Sequence, residues 1–174
     1  MQRPQPTNQE RVLGDEEIIV SKTDKTGRIT YVNDVFCRIG QYEEDEMVGA
    51  PHSIIRHPDM PRAIFHLLWQ RISAGHEIFA YVKNLAKSGD HYWVFAHVTP
   101  SYGKDGAIDG YHSNRRSVDR RALPAIEALY RDLRGIEASG NDPKQALQNS
   151  ARHLEKLLAD KNIIYDEFIQ TVAG

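Results

Sequence analysis

"DKTGRITYVNDVFCRIGQYEEDEMVGAPHSIIRHPDMP", residues 24–61, changes hydrophobic period twice in under forty residues. Asp24–Gly27 has turn chemistry. Ile18 and Val20 before it, and Ile29 and Tyr31 after it, alternate with polar residues, so a β-hairpin is predicted. From Val35 the period lengthens: Val35, Phe36 and Ile39 share one helical face, and Gly40 ends it. Glu43–Glu46 suits the first turn of a second short helix, where the dipole favours carboxylates. The stretch closes on "RHPDMP" (56–61). Asp59 is placed to cap a helix beginning near Met60, and the two prolines stiffen its start. Capping does not account for Arg56 and His57. A helix start presents free N–H groups and a partial positive end, and an Arg fork matches phosphate. An ordinary helix start and a cradle for an anionic cofactor are both compatible with these residue types.

Outward from this core, Met60, Ile64, Leu67, Leu68 and Ile72 recur at helical steps, and Gly75 is a plausible stop. Residues 77–85 and 91–102 read as strands around a "KSGD" turn (87–90). The second strand places Tyr92, Val94, Ala96 and Val98 on one face and His91, Trp93, Phe95 and His97 on the other. A "GKDG" turn (103–106) leads to a last strand near 107–118, which ends in "NRRSVDRR" (114–121). That charged run reads as a hinge. Beyond it, Leu123, Ile126, Leu129, Tyr130 and Leu133 predict a helix. "GIEASGNDP" (135–143) predicts a break, with Asp142 capping before Pro143. Leu147, Ala151, Leu154 and Leu158 form a stripe that Ile163, Ile164, Phe168 and Ile169 extend. The expected organisation is a flexible arm (1–14), an α+β domain (15–120) and a C-terminal helical hairpin (121–174).

The bulk composition bounds the function. The 174 residues are 40% hydrophobic and 26% charged, with a formal net charge of −2. These are values of a soluble globular chain rather than of a nucleic-acid-binding surface. A single cysteine, Cys37, excludes an internal disulfide, a multi-cysteine metal site and covalent haem. No signal peptide or bilayer-length apolar run is present, so a cytoplasmic protein is expected. No Ser-His-Asp order, Gly-rich phosphate loop or paired catalytic carboxylates stand out, so no enzyme is expected.

The element order and the local words together resemble the PAS sensor domain of bacterial aerotaxis receptors. Residues 24–61 look like its first half. "VKNLAKSGDHYWVFAHVTP" (82–100) and "GYHSNRRSVD" (110–119) look like its second half. The resemblance covers about residues 15–120 and implies a PAS fold, an antiparallel sheet with short helices over one face. It also implies FAD bound non-covalently between sheet and helices, and a redox or oxygen signal passed to chemotaxis machinery. Carried over by matching words, the flavin-contacting residues are Asn33, Arg56, His57, Asp59, Phe65, Asn84, His91 and Trp93. The tryptophan that the family commonly has shortly before "VKN" is replaced here by Ile78 or Phe79. Family members continue into a membrane anchor and a signalling coiled coil. "LLADKNIIYDEFIQTV" reads as an amphipathic end, which suggests a stand-alone homodimer acting on a chemotaxis or other signalling partner in trans.

The residues themselves leave alternatives. Asn84 is disfavoured inside a strand and asks for a reason, and its amide can both donate and accept. Asn33 follows a strand and suits a helix cap equally well. Trp93 and His91 suit a pocket or a dimer surface. Haem b held by His66 or His57 is the rival cofactor, a small bound ligand is a further alternative, and a cofactor-free dimerisation module is the third reading. Cys37, beside Phe36, reads as a buried structural thiol and not as a photoreactive one.

Overall fold

The computed structural model describes residues 4–172. These form two compact units. The first comprises the chain up to His57 with Ile72–Ser117, and the second comprises Pro58–Arg71 and the chain from Val118.

The first unit is built on five antiparallel strands: β1 (Ile19–Asp24), β2 (Ile29–Val32), β3 (Ile78–Leu85), β4 (His91–Tyr102) and β5 (Ile108–Arg116). Their order across the sheet is β2-β1-β5-β4-β3. The predicted hairpin forms because Asp24 accepts hydrogen bonds from the amides of Thr26 (2.8 Å) and Arg28 (3.0 Å). β5 then pairs with β1, with Ser113 opposite Ser21 and Arg115 opposite Ile19. Between β2 and β3 the chain makes α1 (Asp34–Gly40), α2 (Glu44–Met47) and a 3-10 turn at His52–Ile55. Both short helices match the change of period read from the sequence.

Cross-strand partners share a face. One face of β3, β4 and β5 therefore carries Asn84 with Tyr92, Val82 with Val94, and Ala80 with Ala96 and Arg115. All of these are buried, and Phe36 of α1 packs on the same side, under the Arg115 guanidinium. The other face carries a ring ladder. Phe79 stacks on His97 at 4.2 Å between centroids, and Phe95 meets Tyr81 at 5.0 Å.

Residues 1–14 read from sequence as a flexible arm, but part of the segment is paired. The Thr7 amide donates to Gly89 O (2.9 Å), Arg11 N to His91 O (2.8 Å) and His91 N to Gln9 O (2.9 Å), and Leu13 is buried. Gly89 permits this. Its φ is +94°, and a Cβ there would lie 2.0 Å from Gln5 O, so only glycine fits.

The second unit contains the first ten residues of α3 (Arg62–Ser73) together with α4 (Leu123–Ser139), α5 (Pro143–Asp160) and α6 (Tyr165–Thr171). The break expected at 135–143 is shorter than the sequence suggests. α4 runs through Gly135 to Ser139, and only Gly140–Asp142 turns before Asp142 caps α5 through the Lys144 amide (2.9 Å). The buried stripe of α5 is Ala146, Ser150 and Leu154, one position from the expected Leu147 and Ala151. Small residues face α4, and the Ser150 hydroxyl donates to Leu133 O at 3.3 Å. The helical pattern also breaks near Asn162, whose φ is +52°, so the predicted two-helix tail has a third, short helix.

Candidate functional site

The 3-10 turn at His52–Ile55 delivers Arg56 and His57 to the edge of the sheet. Arg56 forms an isolated antiparallel bridge with Asn84. His57 is 1% exposed, and its ring meets that of His91 edge-on at 5.9 Å. Four of the sequence-predicted residues (Arg56, His57, Asn84, His91) are thus brought together where β3 ends and β4 begins. Asn84 is buried on the helix-covered face, and its Nδ2 has no hydrogen-bond partner. A buried amide donor in that condition costs stability.

The remaining four are placed differently. Asn33 is engaged structurally. Its Oδ1 accepts from Val20 N (3.0 Å) and Phe36 N (3.2 Å), and its Nδ2 donates to Ile18 O (2.8 Å). It caps α1 and ties it to β1. Trp93 is buried and pairs in register with Lys83, so alternation turns it to the face opposite Asn84 and Tyr92. Asp59 and Phe65 belong to the second unit.

The start of α3 is met by a carboxylate other than the expected cap, Asp59. The α3 amides of Arg62 and Ala63 donate to the carboxylate of Glu137, each at 2.9 Å. Asp59 pairs with Arg134 at 2.9 Å. A carboxylate some 75 residues downstream in the chain thus takes the helix-start position where a local cap was expected, and it satisfies both the free N–H groups and the dipole.

Sequence reasoning also missed a residue of the first unit. Arg115 was grouped with the charged hinge, yet it lies inside β5 and is 2% exposed. Its Nε donates to the Ser113 hydroxyl (3.1 Å) and its Nη2 to the Ser21 hydroxyl. Its guanidinium carbon stands 4.3 Å from the Phe36 ring centroid, and its Nη1 has no hydrogen-bond partner. Burial draws its pKa down to about 10. The charge reaches two neighbours. His52, whose Nε2 is buried and without a partner, is pushed down to about 3 by burial first and by Arg115 second. Tyr92, its hydroxyl likewise buried and unpartnered, is raised by burial, with Arg115 opposing. The signal was available in "GYHSNRR": with Tyr111 inward, alternation also turns Ser113 and Arg115 inward.

The residues fit a flavin. Asn84 Nδ2, Arg115 Nη1, Tyr92 Oη and His52 Nε2 are buried polar atoms without partners, and Val82, Val94, Ala80 and Ala96 share the face of Asn84, Tyr92 and Arg115. A flat aromatic ring edged with acceptors matches that set. Among the described residues no group of three or more His, Cys, Asp or Glu side chains converges as a metal site. Cys37 is part-buried, and burial and nearby acids raise its thiol pKa, which keeps it protonated.

Comparison with known proteins places this geometry. The PAS fold family model matches residues 29–114. The chain is 39% identical over 130 residues to the aerotaxis receptor of Escherichia coli (strain K12), covering 75% of this chain and 26% of the receptor. The chain carries a PAS sensor domain of the aerotaxis-receptor family. Among solved structures, a PAS domain from Colwellia psychrerythraea is similar at a TM-score of 0.50 and 22% identity, over 58% of this chain and 86% of that one. A light-oxygen-voltage domain studied with a flavin analogue gives a TM-score of 0.55 at 15% identity, over 66% of this chain and 86% of that one. At those identities the likeness shows the PAS fold alone. The matched region spans about a quarter or less of the curated relatives' length, and no helix of the described residues is long and apolar enough to cross a membrane.

Proposed function

We propose that this PAS protein is a non-enzymatic, cytoplasmic redox or oxygen sensor that holds FAD non-covalently and signals to a chemotaxis-type partner, most simply as a homodimer. The observation that carries the reading is the buried, unpartnered Asn84 amide beside Arg56, on the helix-covered sheet face of a domain related to an aerotaxis receptor. Bound FAD supplies a ring whose charge and protonation follow its redox state. Asn84 answers such a change because its amide can donate or accept. Arg56 and His57 supply a cationic fork and a ring for the anionic or aromatic part of the cofactor. A shift at Asn84 bears on β3 and β4, and β5 runs in sequence into the output helices. The two cofactor states bias the domain only as far as they differ in affinity for its two conformations.

The visible spectrum of the purified protein tests this. Flavin absorbance that appears in the supernatant on denaturation supports the reading, and Asn84→Ala should reduce flavin retention. A haem Soret band, or a colourless protein that takes up no added FAD, overturns it.

A further inference from the structure

Acidic side chains of α4 and α6 hold α3 at both ends, and all of these contacts lie within the second unit. At its start, the Arg62 and Ala63 amides donate to the two carboxylate oxygens of Glu137, each at 2.9 Å. That side chain is only 8% exposed. In its last turn, Arg71 donates to Asp166 Oδ2 of α6 at 2.6 Å. The free amides of a helix start point along its axis. An axial shift of α3 by about 1 Å therefore takes the Glu137 bonds out of hydrogen-bond range. The Asp166 end is poised rather than locked. Oδ1 of that carboxylate is buried without a hydrogen-bond partner, so the ion pair recovers only part of its desolvation cost. α6 has seven residues, too few to hold a helix alone in water. It stays folded through burial of Tyr165 and Ile169 and through the Asp166 pair. The chain on either side of α3 differs in stiffness. Between His57 and Arg62 stand Pro58 and Pro61, whose rings fix φ. After Ser73 comes Gly75 at φ +87°, where the backbone has most freedom to turn. A displacement of His57 thus passes to the start of α3.

We propose that α3 is the transmission element of this sensor. A change at His57 slides it along its axis, the Glu137 and Asp166 contacts open or close together, and α6 is released or docked. The inference rests on the flavin reading above and names the regulated element, α6. The two redox forms of the cofactor then differ in how firmly α6 is held. By linkage, a lesion in the clamp shifts the flavin midpoint potential.

Amide hydrogen exchange in the full chain tests this, with α5 as the internal standard. Without added cofactor, Glu137→Gln should speed exchange of the α6 amides about 5-fold, the effect of losing a carboxylate at a helix start, although Glu137 holds the opposite end of α3. Asp166→Asn is a milder change at a part-exposed pair, and it reports even if Glu137→Gln does not fold. It should in return speed exchange of the Arg62 and Ala63 amides. Wild-type exchange at the far end of α3 in either variant would overturn the coupling, with or without cofactor. In the flavin-loaded protein, α6 exchange should differ between the oxidised and reduced forms. Asp166→Asn should erase that difference and shift the midpoint potential. Equal α6 exchange in the two forms of the wild type, or a difference that survives Asp166→Asn, would overturn the proposal and leave the flavin reading intact. A wild-type protein that takes up no FAD would overturn that reading and with it the redox control of α6.

Discussion

Two places in this molecule are arranged to meet an anion, and they differ in whether the chain supplies one. At the start of α3, the amides of Arg62 and Ala63 hold the Glu137 carboxylate, and Asp59 pairs with Arg134. Donors and charge are satisfied within the unit. On the sheet face, Arg115 and Asn84 are buried and keep polar hydrogens without acceptors. The first place looks like a ligand site in the sequence, and Glu137 and Arg134 of α4 tie to it. In the second, Asn84 was read as a flavin contact and Arg115 as part of a hinge, and both carry donors without acceptors. Complementary chemistry marks a ligand site only where the fold has not already filled it.

The sharpest way to break that contrast is to compare ligand retention on the two sides. Asn84→Ala should lower flavin retention by at least about 10-fold, while Asp59→Asn should leave it near wild type. Equal losses from both, read from the flavin-to-protein absorbance ratio, would return the start of α3 to the ligand site.

The sheet-face environment also predicts a pH response. His52 is held neutral, with its pKa moved from 6.5 to about 3, so below pH 6.5 the unfolded chain binds a proton that the folded one refuses. Stability therefore falls as pH drops from about 6.5 toward 3, with His52 contributing up to about 1.4 kcal/mol per pH unit. His52→Phe should flatten denaturation midpoints over that window, and an unchanged slope would show that His52 is hydrated.

Glu137→Gln tests the other side. Loss of the charge at two helix-start amides should cost about 1 kcal/mol of stability with no gain in flavin binding. A gain would mean that the carboxylate had been competing with the cofactor. Two smaller effects follow. Gly135→Ala, in an open helical position, should stabilise α4 by up to about 1 kcal/mol. Asp59→Asn breaks a half-exposed pair and should change the melting point by an amount equivalent to under about 0.5 kcal/mol.

Much of the fold was legible because its signals are local. The Asp24–Gly27 turn, the short apolar faces of α1 and α2, and the alternation along β3 and β4 each specify structure within a few residues. Arg56, His57, Asn84 and His91 were legible as a group through the resemblance, and the fold gathers them. Asn33 read equally well as cap or contact, and its hydrogen bonds engage it as the cap of α1. The length of α4 was not legible, because Gly135 and Ser139 look like breakers and the Glu137 contact to α3 lies far along the chain. The pairing of residues 7–11 was also hidden, since an arm of Pro, Gln and Asn shows no period, and backbone hydrogen bonding to β4 needs none.

The sequence by itself determined the element order up to β5, the hairpin and meander, and the family of the domain, since these depend on period, turn chemistry and short words read in place. Tertiary structure alone decided which charges are satisfied. Whether an arginine is a hinge or a buried cation, and whether a helix start is open or closed by Glu137, depends on groups brought together from distant positions and on the water that packing removes.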